Sequence, residues 1–247
     1  MDEKQRIRER VWARIDEDPE VRRPPGARGR IPSFVGAELA AERLARSPEW
    51  RQARVVKLNP DSPQLPLRAR AIEDGKLVYV AVPKLSAAAP FLRLERRGLA
   101  VPALEASTIE GAARHGVPTR LEDMEPIDLI ISGTVAVNAL GVRIGKGGGY
   151  ADLEFALLVE LGLVMDATLI ATTVHDLQLS SEPLPEARHD FRVDIVATPT
   201  RLLYCRAESA AESSPPARPT GIVWEHLDAA KIEAIPALKA RAANRSR

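Results

Sequence analysis

Short apolar runs, most of them rich in β-branched residues and each closed by proline, glycine or a polar turn, constrain this chain more than any other feature. Ala53 to Leu58 is the first, closed by Asn59-Pro60-Asp61-Ser62-Pro63. Leu77 to Val82 ends at Pro83, and Ile127 to Ser132 lies between Pro126 and Gly133. Thr168 to Val174 and Val193 to Ala197 follow, and Arg201 to Cys205 can pair beside the last after the Thr198-Pro199-Thr200 turn. A continuous apolar run, as opposed to strict alternation, is the pattern of a strand buried on both faces. Such strands separated by helical segments predict an α/β fold: a mostly parallel central sheet with helices on both faces, a Rossmann-like three-layer arrangement.

The segments between them carry the helical period. Asp2 to Ile15 places Ile7, Val11 and Ile15 on one stripe of a charged cylinder decorated by Lys4, Arg6, Arg8, Arg10 and Arg14. Asp18 to Pro32, with its prolines and glycines among arginines, reads as a loop. Val35 to Arg46 reads as a helix with Leu39 and Leu44 among its buried positions, stopped at Ser47-Pro48. Leu67 to Glu73 fits one or two helical turns before Asp74-Gly75. The prolines and mixed polarity of Ser86 to Glu125 support short elements, with a helical turn or two over Thr108 to His115. Asp152 to Gly162 reads as a helix with Leu153, Leu157, Leu158 and Leu161 on one face. Residues 1–205 are thus expected to form the α/β domain, 206–220 a Pro/Ser/Ala-rich loop or linker, and 221–247 a C-terminal arm broken at Pro236.

Composition narrows the function classes. The 247 residues are 45% hydrophobic and 28% charged, ordinary for a globular chain. Lys plus Arg number 35 against 34 Asp plus Glu, a net charge of +1, which gives no support for nucleic-acid binding driven by bulk charge. No apolar run is long enough to span a membrane, and the charged Met1 to Arg10 does not resemble a signal peptide. One cysteine, Cys205, neither staples a fold nor builds a thiolate metal site, so the expected compartment is the reducing cytoplasm and the thiol a small buried hydrophobe.

Chemistry concentrates between the third apolar run and the helix at 152. There the chain reads Arg143-Ile144-Gly145-Lys146-Gly147-Gly148-Gly149-Tyr150-Ala151-Asp152. Glycines remove the Cβ atoms that keep backbone N–H groups from an anion, and a following helix adds its N-terminal dipole. Arg143 and Lys146 supply charge on either side of the turn. The composition is that of a phosphate cradle. It is not a Walker A loop, since no Gly-Lys precedes Ser or Thr, and its glycine spacing is not that of a dinucleotide fingerprint. His175-Asp176 and His189-Asp190, with no thiolate set, are expected to cap loops, because neighbours on an extended chain point to opposite sides. No G-x-S-x-G nucleophile elbow is present.

Arg143-x-Gly145-x-Gly147-x-Gly149-Tyr150-x-Asp152 resembles the signature of the 5-formyltetrahydrofolate cyclo-ligase family, also called methenyltetrahydrofolate synthetases. Lys4-x-x-x-Arg8 resembles the family's opening helix, Asp128-Leu129-Ile130-Ile131 the strand leading to the loop, and His189-Asp190 with Val193-Asp194 and Thr198 its closing segment. Arg30-Ile31-Pro32-Ser33-Phe34, Val174-His175-Asp176 and Pro219-Thr220-Gly221-Ile222-x-Trp224 are similar to the divergent branch of methenyltetrahydrofolate synthase domain-containing proteins. Two departures stand out. Ala151 occupies the place of a second tyrosine, and Asp61-Ser62-Pro63-Gln64 offers no glutamate in register with the one the family turns to the pterin.

The resemblance implies an ATP- and Mg²⁺-dependent ligase that turns 5-formyltetrahydrofolate into 5,10-methenyltetrahydrofolate. It implies Lys4, Arg8, Gly145, Gly147, Gly148 and Gly149 as nucleotide-binding residues, Arg143, Lys146 and Tyr150 as catalytic ones, and Asp152 as the Mg²⁺ ligand. A folate is the implied partner; no membrane partner is expected, and the sequence gives no strong evidence for nucleic acid. The alternatives are a non-catalytic nucleotide-binding paralogue with a regulatory or RNA-associated role, and a ligase acting on another small substrate.

Overall fold

The computed structural model describes residues 2–205 and 218–245, and its elements follow the apolar pattern. Helix α1 (Glu3–Glu17) starts at Asp2, whose carboxylate accepts from the Gln5 N–H. Two further helices, α2 (Ala37–Ala45) and α3 (Pro48–Gln52), lead into β1 (Val55–Leu58). Next come α4 (Leu65–Glu73), β2 (Leu77–Ala81) and β3 (Phe91–Leu94). The proline-rich middle resolves into α5 (Ala103–Ala106), α6 (Ile109–His115) and β4 (Val117–Thr119). Thr108 caps α6 by accepting from Gly111 N–H at 2.8 Å. Strands β5 (Ile127–Ile131), β6 (Ala136–Asn138) and β7 (Arg143–Ile144) precede α7 (Tyr150–Glu160). The remainder is β8 (Val164–Thr173), β9 (Leu179–Ser180), β10 (Ile195–Ala197), β11 (Leu202–Tyr204), α8 (Ala229–Ala234) and α9 (Pro236–Arg245).

Eight strands form one sheet in the order β11-β10-β8-β5-β1-β2-β3-β4. The pairs from β10 through β8, β5 and β1 to β2 are parallel, and antiparallel strands close both edges. Alternation along each strand divides the core. Val56, Leu58, Val78, Val80, Leu129 and Ile131 turn to a cluster with α2, α3 and α4. Val55, Tyr79, Ile130, Ile170 and Val196 turn to the opposite cluster, with α7 and the C-terminal Ile222, Ile235 and Leu238. That is the expected α/β architecture with both sheet faces covered.

A third cluster was not anticipated from the sequence. Ile7, Val11, Trp12 and Ile15 of α1 pack on Val21, Ile31 and Phe34 of the following loop and on Ala136 and Ile144 of a small second sheet, β7-β6-β9. α1 is thereby fixed beside the glycine loop that follows β7.

Two apolar placements differ from expectation. Leu39 is 56% exposed, because α2 buries a face of Ala37, Ala40, Ala41, Leu44 and Ala45 that lets it approach the sheet closely. Leu161 follows the last residue of α7 and is exposed at the turn to Gly162. The expected linker at 206–220 falls largely on 206–217, outside the described residues. Arg218 beyond it donates to Thr168 O at 2.6 Å and to Asp194 at 2.9 Å.

Cys205 is half-buried against the core, and burial together with nearby Asp194 pushes its thiol up to about 12. Thiolate is the reactive form, so Ellman's reagent near pH 8 should label the native protein roughly a thousandfold more slowly than the urea-unfolded chain. Equal rates would show that the thiol is open to solvent.

Candidate functional site

Parallel strands that leave a sheet at their carboxyl ends create a crevice there, and this sheet has one. Asn59 follows β1, Lys84 follows β2 and Gly133 follows β5, and all three line a cavity of 580 Å³. The opposite wall is the glycine loop, from Arg143 to Asp152, with Lys4 and Arg8 of α1 beside it. That volume is in the range of small-molecule sites. Every residue singled out by the resemblance, namely Lys4, Arg8, Arg143, Gly145, Lys146, Gly147, Gly148, Gly149, Tyr150 and Asp152, lines this one cavity.

The loop needs glycine at two of its turns. Gly147 has φ +102°, and an added Cβ would come 3.4 Å from the Arg8 guanidinium carbon. Gly149, at φ +68°, is the N-cap of α7 in the left-handed conformation, and no side chain caps the helix. The leading N–H groups of an eleven-residue helix are left for an acceptor from outside the chain.

The cations around the loop differ in how they are balanced. Arg143 is 4% exposed, its Nη2 donates to Asp152 Oδ1 at 2.5 Å, and its guanidinium lies 3.9 Å from the Phe191 ring centroid. Its Nε is buried with no hydrogen-bond partner among the described residues. A buried donor left unmade is costly, so this N–H is suited to an incoming oxygen. Lys4 pairs with Asp190, and Lys146, half exposed, donates to Asp61 at 2.8 Å. Arg8 faces no carboxylate within ion-pair distance among the described residues: its Nε donates to Gly145 O at 2.7 Å and Nη1 to Gln5 Oε1 at 3.1 Å. The ground state therefore leaves positive charge beside an uncapped helix start.

Below the loop sits a polar group that sequence reasoning missed. Lys57 is 2% exposed and pairs with Glu154 of α7, whose Oε2 also accepts from Asn59 Nδ2 at 3.1 Å. Asn59 Oδ1 in turn accepts from Gly133 N–H at 3.1 Å, tying the ends of β1 and β5 together. The available signal was Lys57 itself, a lone charge inside an apolar strand, which has to be paired. Lys84 is a second miss, held at φ +59° on the cavity rim, a conformation non-glycine residues rarely adopt.

His175, Asp176 and Asp190 make loop-capping bonds as expected, whereas His189 lines the main cavity beside Asp190 with its Nδ1 3.1 Å from His226 Nδ1. His175 Nδ1 accepts from Leu177 N–H at 3.2 Å, while Asp176 accepts from Thr198, Thr200 and Arg201. Asp190 accepts from Ala187 N–H at 2.5 Å besides holding Lys4. Among the described residues no group of three or more His, Cys, Asp or Glu side chains could hold a metal ion. Asp152 gives one oxygen to Arg143, and Asp61, Glu154 and Asp190 are the other carboxylates lining the cavity. No helix of the described residues is long and apolar enough to cross a membrane.

Residues 1–199 match the sequence model of the 5-formyltetrahydrofolate cyclo-ligase family. The methenyltetrahydrofolate synthase domain-containing protein of Bos taurus is 35% identical over 240 residues, 96% of this chain and 61% of that protein. Its counterpart in Mus musculus is 36% identical over 240 residues, 96% of this chain and 62% of the relative. The chain thus spans about three fifths of the length of these curated relatives. The NMR structure of 5,10-methenyltetrahydrofolate synthetase from Aquifex aeolicus superposes with a TM-score of 0.54 at 21% identity, covering 85% of this chain and 96% of that one. That likeness establishes the shared fold.

Proposed function

The chain belongs to the 5-formyltetrahydrofolate cyclo-ligase family, and from that premise we propose that it converts 5-formyltetrahydrofolate and ATP into 5,10-methenyltetrahydrofolate, ADP and phosphate. The observation that carries the reading is the buried Arg143 Nε, unpaired beside the uncapped start of α7 and the glycine loop. Transfer of the γ-phosphoryl to the formyl oxygen would make that oxygen a leaving group. Attack by N10 on the formyl carbon, with loss of phosphate, would close the methenyl ring. Such a reaction asks the protein for alignment and charge neutralisation, not for a protein nucleophile.

In this reading the N–H groups of residues 145–149 and the start of α7 hold phosphate oxygens. Arg143 bridges them to Asp152, while Lys4, Arg8 and Lys146 offset the remaining charge. Tyr150 orients the transferring group. Mg²⁺ is compatible with this donor set, since it characteristically takes one or two carboxylates plus nucleotide oxygens and water; Asp152 would hold it, where it neutralises phosphate charge. We place the reaction in the cytoplasm, a setting in keeping with one unbridged thiol.

Ala151 favours a second reading, a nucleotide-binding protein without the ligase reaction, since the folate side then lacks an aromatic contact. Near-ultraviolet absorbance with 5-formyltetrahydrofolate, Mg²⁺ and ATP separates the two. Growth of methenyl product with stoichiometric ADP supports the ligase; MgATP binding without product supports the second reading. Lys146→Ala should weaken MgATP binding about tenfold, the value of one charge-assisted contact on a half-exposed group. Unchanged affinity by calorimetry would remove Lys146 from the phosphate site.

A further inference from the structure

Two cations grip carbonyls of the glycine loop, and they come from opposite ends of the chain. Arg8 of α1 takes the Gly145 carbonyl. Lys231 of α8 donates from Nζ to the Gly148 carbonyl at 2.8 Å and lies 5.1 Å from the Tyr150 ring centroid. No carboxylate lies within ion-pair distance of Lys231 among the described residues, and it falls outside the span matched by the family. It does not line the main cavity. It lines a small neighbouring pocket between α7 and the C-terminal segment, together with Gly149 and Asp152. Lys231 thus reaches the loop from that adjoining pocket.

That placement has a stereochemical consequence. In a trans peptide the carbonyl and the following N–H point in opposite directions. A peptide between two glycines can turn over at little cost, so its direction has to be imposed from outside. We propose that Lys231 is a positioning residue for the nucleotide site: by drawing the Gly148 carbonyl toward its own pocket, it turns the following Gly149 N–H the opposite way, to join the leading amides of α7 in facing the main cavity. The C-terminal segment is then part of the binding apparatus. Its seat is firm, with Ile222, Ile235 and Leu238 buried in the core, and Asp228 caps α8 by accepting from Lys231 N–H at 2.6 Å. The inference rests on the nucleotide reading above.

Calorimetry with MgATP and with inorganic tripolyphosphate tests it. Lys231→Met keeps the apolar stem and removes the donor; both ligands should bind about tenfold more weakly, as for one lost charge-assisted hydrogen bond. Lys231→Arg should restore most of the affinity. Lys239→Met, which removes a lysine of the same segment that pairs with Glu233 and lines neither pocket, should bind both ligands like the wild type. An affinity of Lys231→Met within about twofold of a binding-competent wild type overturns the assignment. So does an equal loss in Lys239→Met, which would make the effect one of overall charge. Wild-type protein that binds neither ligand overturns the nucleotide reading and this inference together, a result distinct from the first two.

Discussion

Arg143→Met should lower MgATP affinity by at least about a hundredfold, the scale of losing a preorganised, desolvated phosphate clamp. The side chain is held on three sides. Asp152 fixes Nη2, Phe191 lies under the plane, and the backbone of Gly145 is so close that a Cβ there would stand 3.2 Å from Nη1. The remaining Nε has no partner of its own. The guanidinium is therefore already oriented before a ligand arrives, so little binding energy is lost in ordering it. Arg143→Lys should recover little, since an ammonium cannot reach Asp152 and an incoming oxygen in one plane. Stability should fall less than affinity: Asp152, in the first turn of α7, keeps favourable helix-dipole contact after its partner is gone. Calorimetry beside thermal unfolding checks both statements. Wild-type affinity in Arg143→Met would sink the phosphate assignment of the loop.

The largest stability effect is expected below the site. Lys57→Met leaves the Glu154 carboxylate buried with only Asn59 as a partner. Breaking one side of a buried ion pair costs about 3–5 kcal/mol, which for a chain of this size corresponds to a melting temperature lower by roughly 6–20 °C. Lys57→Met combined with Glu154→Leu should regain most of that loss, because two apolar groups of similar bulk need no compensation. Urea denaturation gives the numbers directly. A Lys57→Met protein within about 0.5 kcal/mol of wild type would mean that water reaches Glu154.

The parts legible in the sequence were those where a local pattern states its own environment. β2 is apolar throughout, β1 and β5 are apolar but for Lys57 and Asp128, and β8 buries its second half, a run of apolar and threonine residues that fits burial on both faces. The glycine loop was legible because its composition serves no ordinary turn, and its placement between a strand and α7 followed. What escaped depends on contacts between distant segments. β7 and β9 are two residues each, too short for any period, and exist through pairing with β6. α2 inverted the usual weighting: a helix that packs closely buries alanine and leaves Leu39 in solvent. Lys231 carried no signal, being an ordinary lysine on a short amphipathic helix until the fold sets it beside Gly148. Lys57 was visible as an anomaly, yet its partner Glu154 lies 97 residues on, beyond the reach of spacing arguments.

The hydrogen bond from Lys231 joins residues 83 positions apart. On a ribosome adding about 5–20 residues per second, the glycine loop therefore emerges roughly 4–17 s before the side chain that grips it. During that interval the sheet strands of the first half and α1 can already assemble around a loop whose Gly148 peptide is free to turn either way. Nucleotide offered to such a nascent chain would meet a pocket with walls but without its final donor geometry. Maturation of the site thus waits for the same C-terminal segment that completes one face of the core, and the order of translation sets the delay.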